Sequence, residues 1–83
     1  MKLKWTQHAR DVFEKRKIPR AWIERTVIDP DKTLPDDIDT ELLHYLKVIQ
    51  EYENRVLRVI INKSSEPPRL ITFYFDRKMK GKL

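Results

Sequence analysis

Apolar positions recur at spacings of three and four through the first third of the chain and then switch to alternation. In WTQHARDVFEKR, Trp5 to Arg16, the residues Trp5, Ala9, Val12, Phe13 and Arg16 mark one face of a helix running from about Gln7 to Lys17. Thr6 is placed to cap it, its hydroxyl accepting from one of the first free amides. Pro19 opens a second helix, where a missing N–H costs nothing. Trp22, Ile23, Thr26 and Val27 form its inward stripe, and Asp29-Pro30-Asp31 ends it, because the residue before a proline is pushed out of the helical region. Residues 6–28 therefore read as a helical hairpin.

The remaining segments read as strands. LLHYLKVIQEY (42–52), RVLRVIIN (55–62) and RLITFYFD (69–76) are rich in β-branched and aromatic residues. A short strand near Lys32 precedes the acidic loop DDIDTE, SSEPP (64–68) is a longer loop whose prolines cannot extend a ladder, and the basic tail RKMKGKL (77–83) is expected to be mobile. The chain is one domain over residues 1–83, with the sheet over about 32–76. Its class is α+β: two N-terminal helices packed on one face of a three- to four-stranded twisted antiparallel sheet.

Strand parity sets which residues share a face. A two-residue hairpin loop at Glu53-Asn54 pairs Tyr52 with Arg55, Val48 with Val59 and Leu46 with Ile61. The helix-facing set is then Leu46, Val48, Leu57, Val59, Ile61, Ile71, Phe73 and Phe75. The opposite face receives Tyr45, Lys47, Ile49, Arg58, Ile60, Thr72, Tyr74 and Asp76, with Arg58 across from Tyr74. In this register His44 lies on the helix side at the sheet edge, a packing position.

Charge adds a second pattern. The net +5 is segregated: residues 1–28 hold eight basic and three acidic side chains, residues 29–54 two and eight, residues 55–83 eight and two. After folding this can give a basic face suited to a phosphate backbone, or only a solvated surface with ordinary ion pairs. No cysteine is present, which excludes disulfides, thiol nucleophiles and cysteine zinc sites and favours a reducing, cytoplasmic setting. No apolar run is long enough for a membrane span and no signal peptide is recognisable. The one glycine, Gly81, leaves no phosphate-cradling loop. The acidic loop lacks calcium-ligand spacing, and neither a metal nor a cofactor is expected.

Four short pieces carry a resemblance: Thr6-Gln7-His8-Ala9 opening helix one, Arg16-Lys17-Ile18 before helix two, Arg58-Val59-Ile60, and Ile71-Thr72-Phe73-Tyr74. Together they resemble a prokaryotic family of small domains of unknown function that is related to the RelE/ParE-like toxins, part of the barnase–colicin–RelE type of ribonuclease fold. The resemblance implies two helices on one side of a twisted sheet and RNA on the other. It also implies an antitoxin-like protein partner or a homodimer, and RNA met on the ribosome or free. Such toxins carry a dense basic and aromatic set on the open face, whereas the comparable positions here hold only Lys47, Arg58, Tyr74, Arg77 and Lys78.

Metal-free RNA cleavage needs a base for the 2′-hydroxyl, cations beside the phosphorane and a proton for the leaving oxygen. His8, Arg58, Tyr74 and Lys47 are the candidate catalytic residues, and Lys2, Lys4, Thr72, Arg77 and Lys78 the candidate substrate contacts. The partial positive charge at a helix N-terminus favours a neutral His8 able to accept a proton, although a histidine there can equally serve packing. Arg58 and Tyr74 can likewise be an ordinary cross-strand pair, and Trp5 and Trp22 read as core. The expected function is a toxin-like, metal-independent endoribonuclease. The alternatives are a non-catalytic nucleic-acid- or protein-binding domain of the same fold, or an assembly role through Ile49 and Ile60 on the open face.

Overall fold

The helical hairpin forms much as its periodicity predicts. The computed structural model describes residues 2–83. Helix α1 spans Gln7–Arg16, and the Thr6 hydroxyl accepts from Ala9 N at 3.1 Å. Lys17 ends the helix in a left-handed conformation (φ 53°), its N–H donating to Phe13 O at 3.0 Å. Helix α2 spans Arg20–Ile28, with Pro19 at its cap position and Ile23, Thr26 and Val27 buried. The Thr26 hydroxyl, which has no access to water, donates to Trp22 O at 2.8 Å within its own helix.

Five strands follow the chain as β1 (Lys4–Trp5), β2 (Lys32–Pro35), β3 (Leu42–Ile49), β4 (Arg55–Asn62) and β5 (Arg69–Phe75). They form a single sheet in the order β1-β5-β4-β3-β2. The sheet is mixed, since β1 lies parallel to β5 through Lys4↔Arg69 and Trp5↔Leu70. This corrects the expected three to four antiparallel strands: β1 has two residues, too few to show alternation. The free edge of β5 beyond β1 is closed by side chains. Thr6 donates through Oγ1 to Leu70 O (2.9 Å) and Arg16 through Nη1 to Phe73 O (2.9 Å).

The expected register fails at β3. Strand β3 stops at Ile49, Gln50–Tyr52 form a single 3₁₀ turn, and Glu53 and Asn54 follow with φ of 56° and 58°. Ile49, not Tyr52, pairs with Arg55, and Tyr45, not Val48, pairs with Val59. The slip is three residues, an odd number, so every β3 side chain changes face. Tyr45 and Ile49 join the helix-side core, while Leu46 and Val48 move to the other face, opposite Arg58 and Val56. In β5 an irregularity opposite Ile60/Ile61 inserts Ile71, so Leu70 rather than Ile71 reaches the core. The expectations for β4 and the end of β5 stand: Leu57, Val59, Ile61 and Phe73 are buried, and Arg58 lies across from Tyr74.

The core joins Ala9, Val12, Ile18, Ile23 and Val27 of the hairpin to Ile49, Leu57, Val59, Ile61, Leu70 and Phe73 of the sheet. Trp5 is half-buried at its rim, edge-on to Phe13 (5.4 Å between centroids) and Phe73 (5.9 Å). The expected mobile tail begins instead as a 3₁₀ turn, Arg77–Met79, capped by Asp76 Oδ1 on Lys78 N (3.0 Å) and packed against β4. Among the described residues, no helix is long and apolar enough to cross a membrane.

The observed register has a direct mutational signature. Ile49→Ala should cost about 2–5 kcal/mol of unfolding free energy. Val48→Ala, on the half-exposed opposite face, should cost less than half of that. Urea unfolding of the two variants measures both, and equal losses would contradict the register.

Candidate functional site

The inversion of β3 brings a set of polar groups together on the face away from the helices. His44 pairs with Ile60, next to the Arg58–Tyr74 pair. Arg58 donates through Nη1 to His44 Nδ1 at 2.7 Å, and His44 Nε2 lies 2.7 Å from Asp36 Oδ1. A guanidinium has donors only, so Nδ1 must accept and the imidazole proton sits on Nε2, aimed at Asp36. On its other side Arg58 donates through Nε (3.0 Å) and Nη2 (2.9 Å) to Asp76 Oδ2. The result is a chain, Asp36–His44–Arg58–Asp76, whose two central side chains are each 13% exposed.

Asp36 anchors the acidic loop as well. Its Oδ2 accepts from Asp39 N (2.9 Å) and Ile38 N (3.1 Å). The Asp39 N–H, the His44 ring and the Ile38 N–H, in that order, hold the Asp36 carboxyl below the ordinary carboxylate pKa. Across the molecule, the Arg25 guanidinium donates to Glu51 at 3.0 Å and lowers its carboxyl pKa in the same way.

The predicted site residues separate. Arg58 and Tyr74 share the open face, and His8 reaches Thr72 on the same side of β5, its Nε2 3.2 Å from Thr72 Oγ1. Lys47 does not join them. The β3 inversion turns it to the helix side, where Nζ donates to Asp29 O (2.7 Å) at the end of α2 and lies 3.7 Å from Asp31 Oδ1. A cation at a helix C-terminus satisfies terminal carbonyls, a structural task. Arg58 has a carboxylate on one side and an imidazole on the other, so its charge is already matched within the fold. His44, expected to pack on the helix side, is instead the central link of the chain.

A second feature lies around the joint between the helices and the end of β5. A groove of about 690 Å³ is lined by four cations, Arg16, Lys17, Arg55 and Arg77. Trp22, Tyr52, Tyr74 and Phe75 supply its aromatic walls. Tyr52 stacks edge-on to Phe75 at 4.9 Å, the Arg55 guanidinium lies 4.4 Å from the Tyr52 ring centroid, and that of Arg16 lies 6.0 Å from the Tyr74 ring. Among the described residues, none of these four cations is in an ion pair, in contrast to Arg25, Lys47 and Arg58.

Of the expected substrate contacts, Arg77 lines this groove, whereas Lys2 and Lys4 line a separate hollow beside Trp5. Lys78 is exposed, and its backbone serves the Asp76 cap. The cationic and aromatic groove residues missing from the expected set are Arg16, Lys17, Arg55, Trp22, Tyr52 and Phe75. Arg16 and Lys17 could have been read from the helix end they occupy, but Tyr52 and Arg55 depend on the 3₁₀ turn, which carries no proline or glycine signal. No cluster of metal-ligating side chains is present among the described residues.

Residues 5–75 match the family of domains of unknown function DUF4258. The chain belongs to that family. No curated protein and no solved structure matches it. The DUF4258 match runs from Trp5 to Phe75, so it takes in the His8–Thr72 contact, the His44–Arg58 link and all of the groove except Arg77.

Two outcomes follow for the polar chain. Arg58→Ala leaves a largely buried Asp76 carboxylate without its cation and should destabilise by about 3–5 kcal/mol. In a double-mutant cycle measured by urea unfolding, the Arg58→Ala/Asp76→Ala loss should fall short of the sum of the single losses by about 1–3 kcal/mol.

The second outcome concerns pH. A carboxyl held low in the fold contributes stability that is complete above its unfolded pKa, about 3.9, and is lost as pH falls through the lower folded value. Asp36→Asn should therefore lower the melting temperature at pH 7, and the gap to the parent should close below about pH 4. Thermal melts at stepped pH check this, and a gap that persisted into acid would mean the charge is immaterial.

Proposed function

We propose that this domain binds single-stranded RNA in the groove between the helical joint and the end of the sheet. The observation that carries the reading is the coincidence, in one concave surface, of four aromatic rings with four cations that form no ion pair among the described residues, Arg16 also donating to Phe73 O. Unpaired cations attract phosphates and release their counterions. Aromatic faces stack splayed bases, which only an unpaired strand presents. The RelE/ParE resemblance is consistent with RNA as the ligand.

Binding without catalysis fits the remaining geometry better than cleavage does. His8 engages Thr72, Lys47 holds the end of α2, and Arg58 is matched by Asp76 and His44. One observation keeps a toxin-like endoribonuclease as the second reading: Tyr74 stands in the groove beside Arg16. In that reaction the 2′-hydroxyl passes its proton to water as its oxygen bonds to phosphorus, the P–O5′ bond breaks, and the departing 5′-oxygen takes a proton from the Tyr74 hydroxyl, which water restores. Tyr74 would move a proton, and Arg16 and Arg77 would face the phosphorane charge.

Fluorescence anisotropy with a labelled single-stranded RNA tests the main reading. Binding should weaken with salt, and Lys17→Gln/Arg55→Gln/Arg77→Gln should reduce the slope of log K against log salt by about 2, at roughly 0.7 per lost phosphate contact. No binding at low salt, or an unchanged slope, would overturn it. Electrophoresis of the same RNA decides the second reading: shorter fragments ending in cyclic phosphate, lost in Tyr74→Phe while binding persists, would establish an endoribonuclease. Intact RNA, together with normal growth of a bacterium expressing the chain, would dismiss it.

A further inference from the structure

Resting on the RNA reading above, we infer that the strand does not end in the groove but crosses the joint between α1 and α2 into a second basic hollow beside Trp5. Three concave surfaces adjoin one another there through shared lining residues. The groove shares Lys17, Ile18 and Pro19 with a shallow saddle of about 250 Å³. That saddle shares Phe13 and Glu14 with a hollow of about 670 Å³. The two ends of the path are therefore linked across the helix elbow by side chains that each adjacent pair of surfaces shares.

The far hollow is also rich in cations. Lys2, Lys4, Arg10 and Arg20 line it, against the carboxylates of Asp11 and Glu14. Asp11 already accepts from Gln7 Nε2 at 3.1 Å. Trp5 supplies the aromatic face, with the Arg20 guanidinium 4.9 Å from the ring centroid. A half-buried indole under a cation is a surface on which a base can stack. Along the whole path eight cations meet Asp11 and Glu14, and one of the eight, Arg20, lies 3.8 Å from Glu24 Oε2 of its own helix.

Several carboxylates of the acidic middle segment lie away from this path. Asp29 and Asp31 hold Lys47, and Asp36 and Asp39 belong to the loop between β2 and β3, at the opposite edge of the sheet from β1. These four carboxylates therefore do not oppose a polyanion lying along the path. The ligand class is a single strand longer than the groove alone holds, rather than a mononucleotide or a duplex.

The test uses the full chain and labelled oligouridylates of about 4 and about 12 nucleotides, a span typical of single-strand sites. The variant is Lys2→Gln/Lys4→Gln/Arg10→Gln, three exposed side chains away from the core. A long strand offers a short site many registers, which raises affinity but leaves the variant's effect on the salt slope unaltered, so that effect decides. The variant should lower the slope for the long oligomer by about 2 and leave affinity for the short one within about twofold of the parent. An unchanged long-oligomer slope would overturn the path while the groove reading stood. Equal losses on both lengths would make the Trp5 hollow the primary site and overturn the order proposed. If the parent bound neither oligomer at low salt, the groove reading and the path would fall together.

Discussion

Ile49 and Tyr52 both belong on the helix side of the sheet, and an extended strand cannot put residues three apart on one face. Ile49 fills the core against the hairpin, while Tyr52 closes on Phe75 at 4.9 Å and Trp22 at 6.0 Å. The 3₁₀ turn at Gln50–Tyr52 satisfies both demands, because its three-residue repeat returns the chain to the same side. Edge-to-face aromatic pairs contribute about 0.5–1.5 kcal/mol each beyond the area they bury. The alternative, a strand continued to Tyr52 with a two-residue turn, would place Ile49 on the open face and forfeit its burial. That choice of turn fixes everything β3 presents.

Once the register is set, the polar residues of β3 have defined tasks. Lys47 comes to the end of α2 and ties the hairpin to the sheet, while His44 comes to the opposite face and meets Arg58. The chain Asp36–His44–Arg58–Asp76 links the acidic loop, two central strands and the C-terminal turn. Asp76 caps the turn that carries Arg77, so the chain also steadies one wall of the groove. A cation engaged in this way is better suited to holding a surface in shape than to meeting a phosphate. Arg58, a candidate catalytic cation in the sequence, is thereby held between Asp76 and His44 beside the groove wall.

The parts legible in the sequence were those governed by local rules. Thr6 as cap, Pro19 at the entry to α2, the stripe Ile23–Thr26–Val27 and the alternation of β4 follow from spacing and backbone chemistry alone. The pairing of Arg58 with Tyr74 followed too, because β4 and β5 keep register there. The β3 face did not follow, since parity propagates from one loop and that loop was decided by long-range contacts of Ile49 and Tyr52. The bulge at Ile71 and the two-residue strand β1 are likewise set by partners distant in the chain, with no local signature. The groove escaped notice for the same reason. Its residues come from α1, the helix joint, α2, the 3₁₀ turn, β4, β5 and the C-terminal turn, and no one segment is rich in both cations and rings.

The charge pattern gains its meaning only after folding. The acidic middle of the chain serves the fold: Asp29 and Asp31 meet Lys47, Glu51 meets Arg25, and Asp36 meets His44. Among the described residues, Arg16, Lys17, Arg55 and Arg77 of the basic ends have no such partner, and the hairpin, β4 and the C-terminal turn gather these around the helical joint. Screening at physiological salt acts over about 8 Å, while the molecule measures 33 × 27 × 21 Å. Carboxylates at the β2–β3 edge therefore do little to cancel the field at the groove. A net charge of +5 understates what a strand lying along the helices would meet, because the local balance there, not the total, sets the attraction.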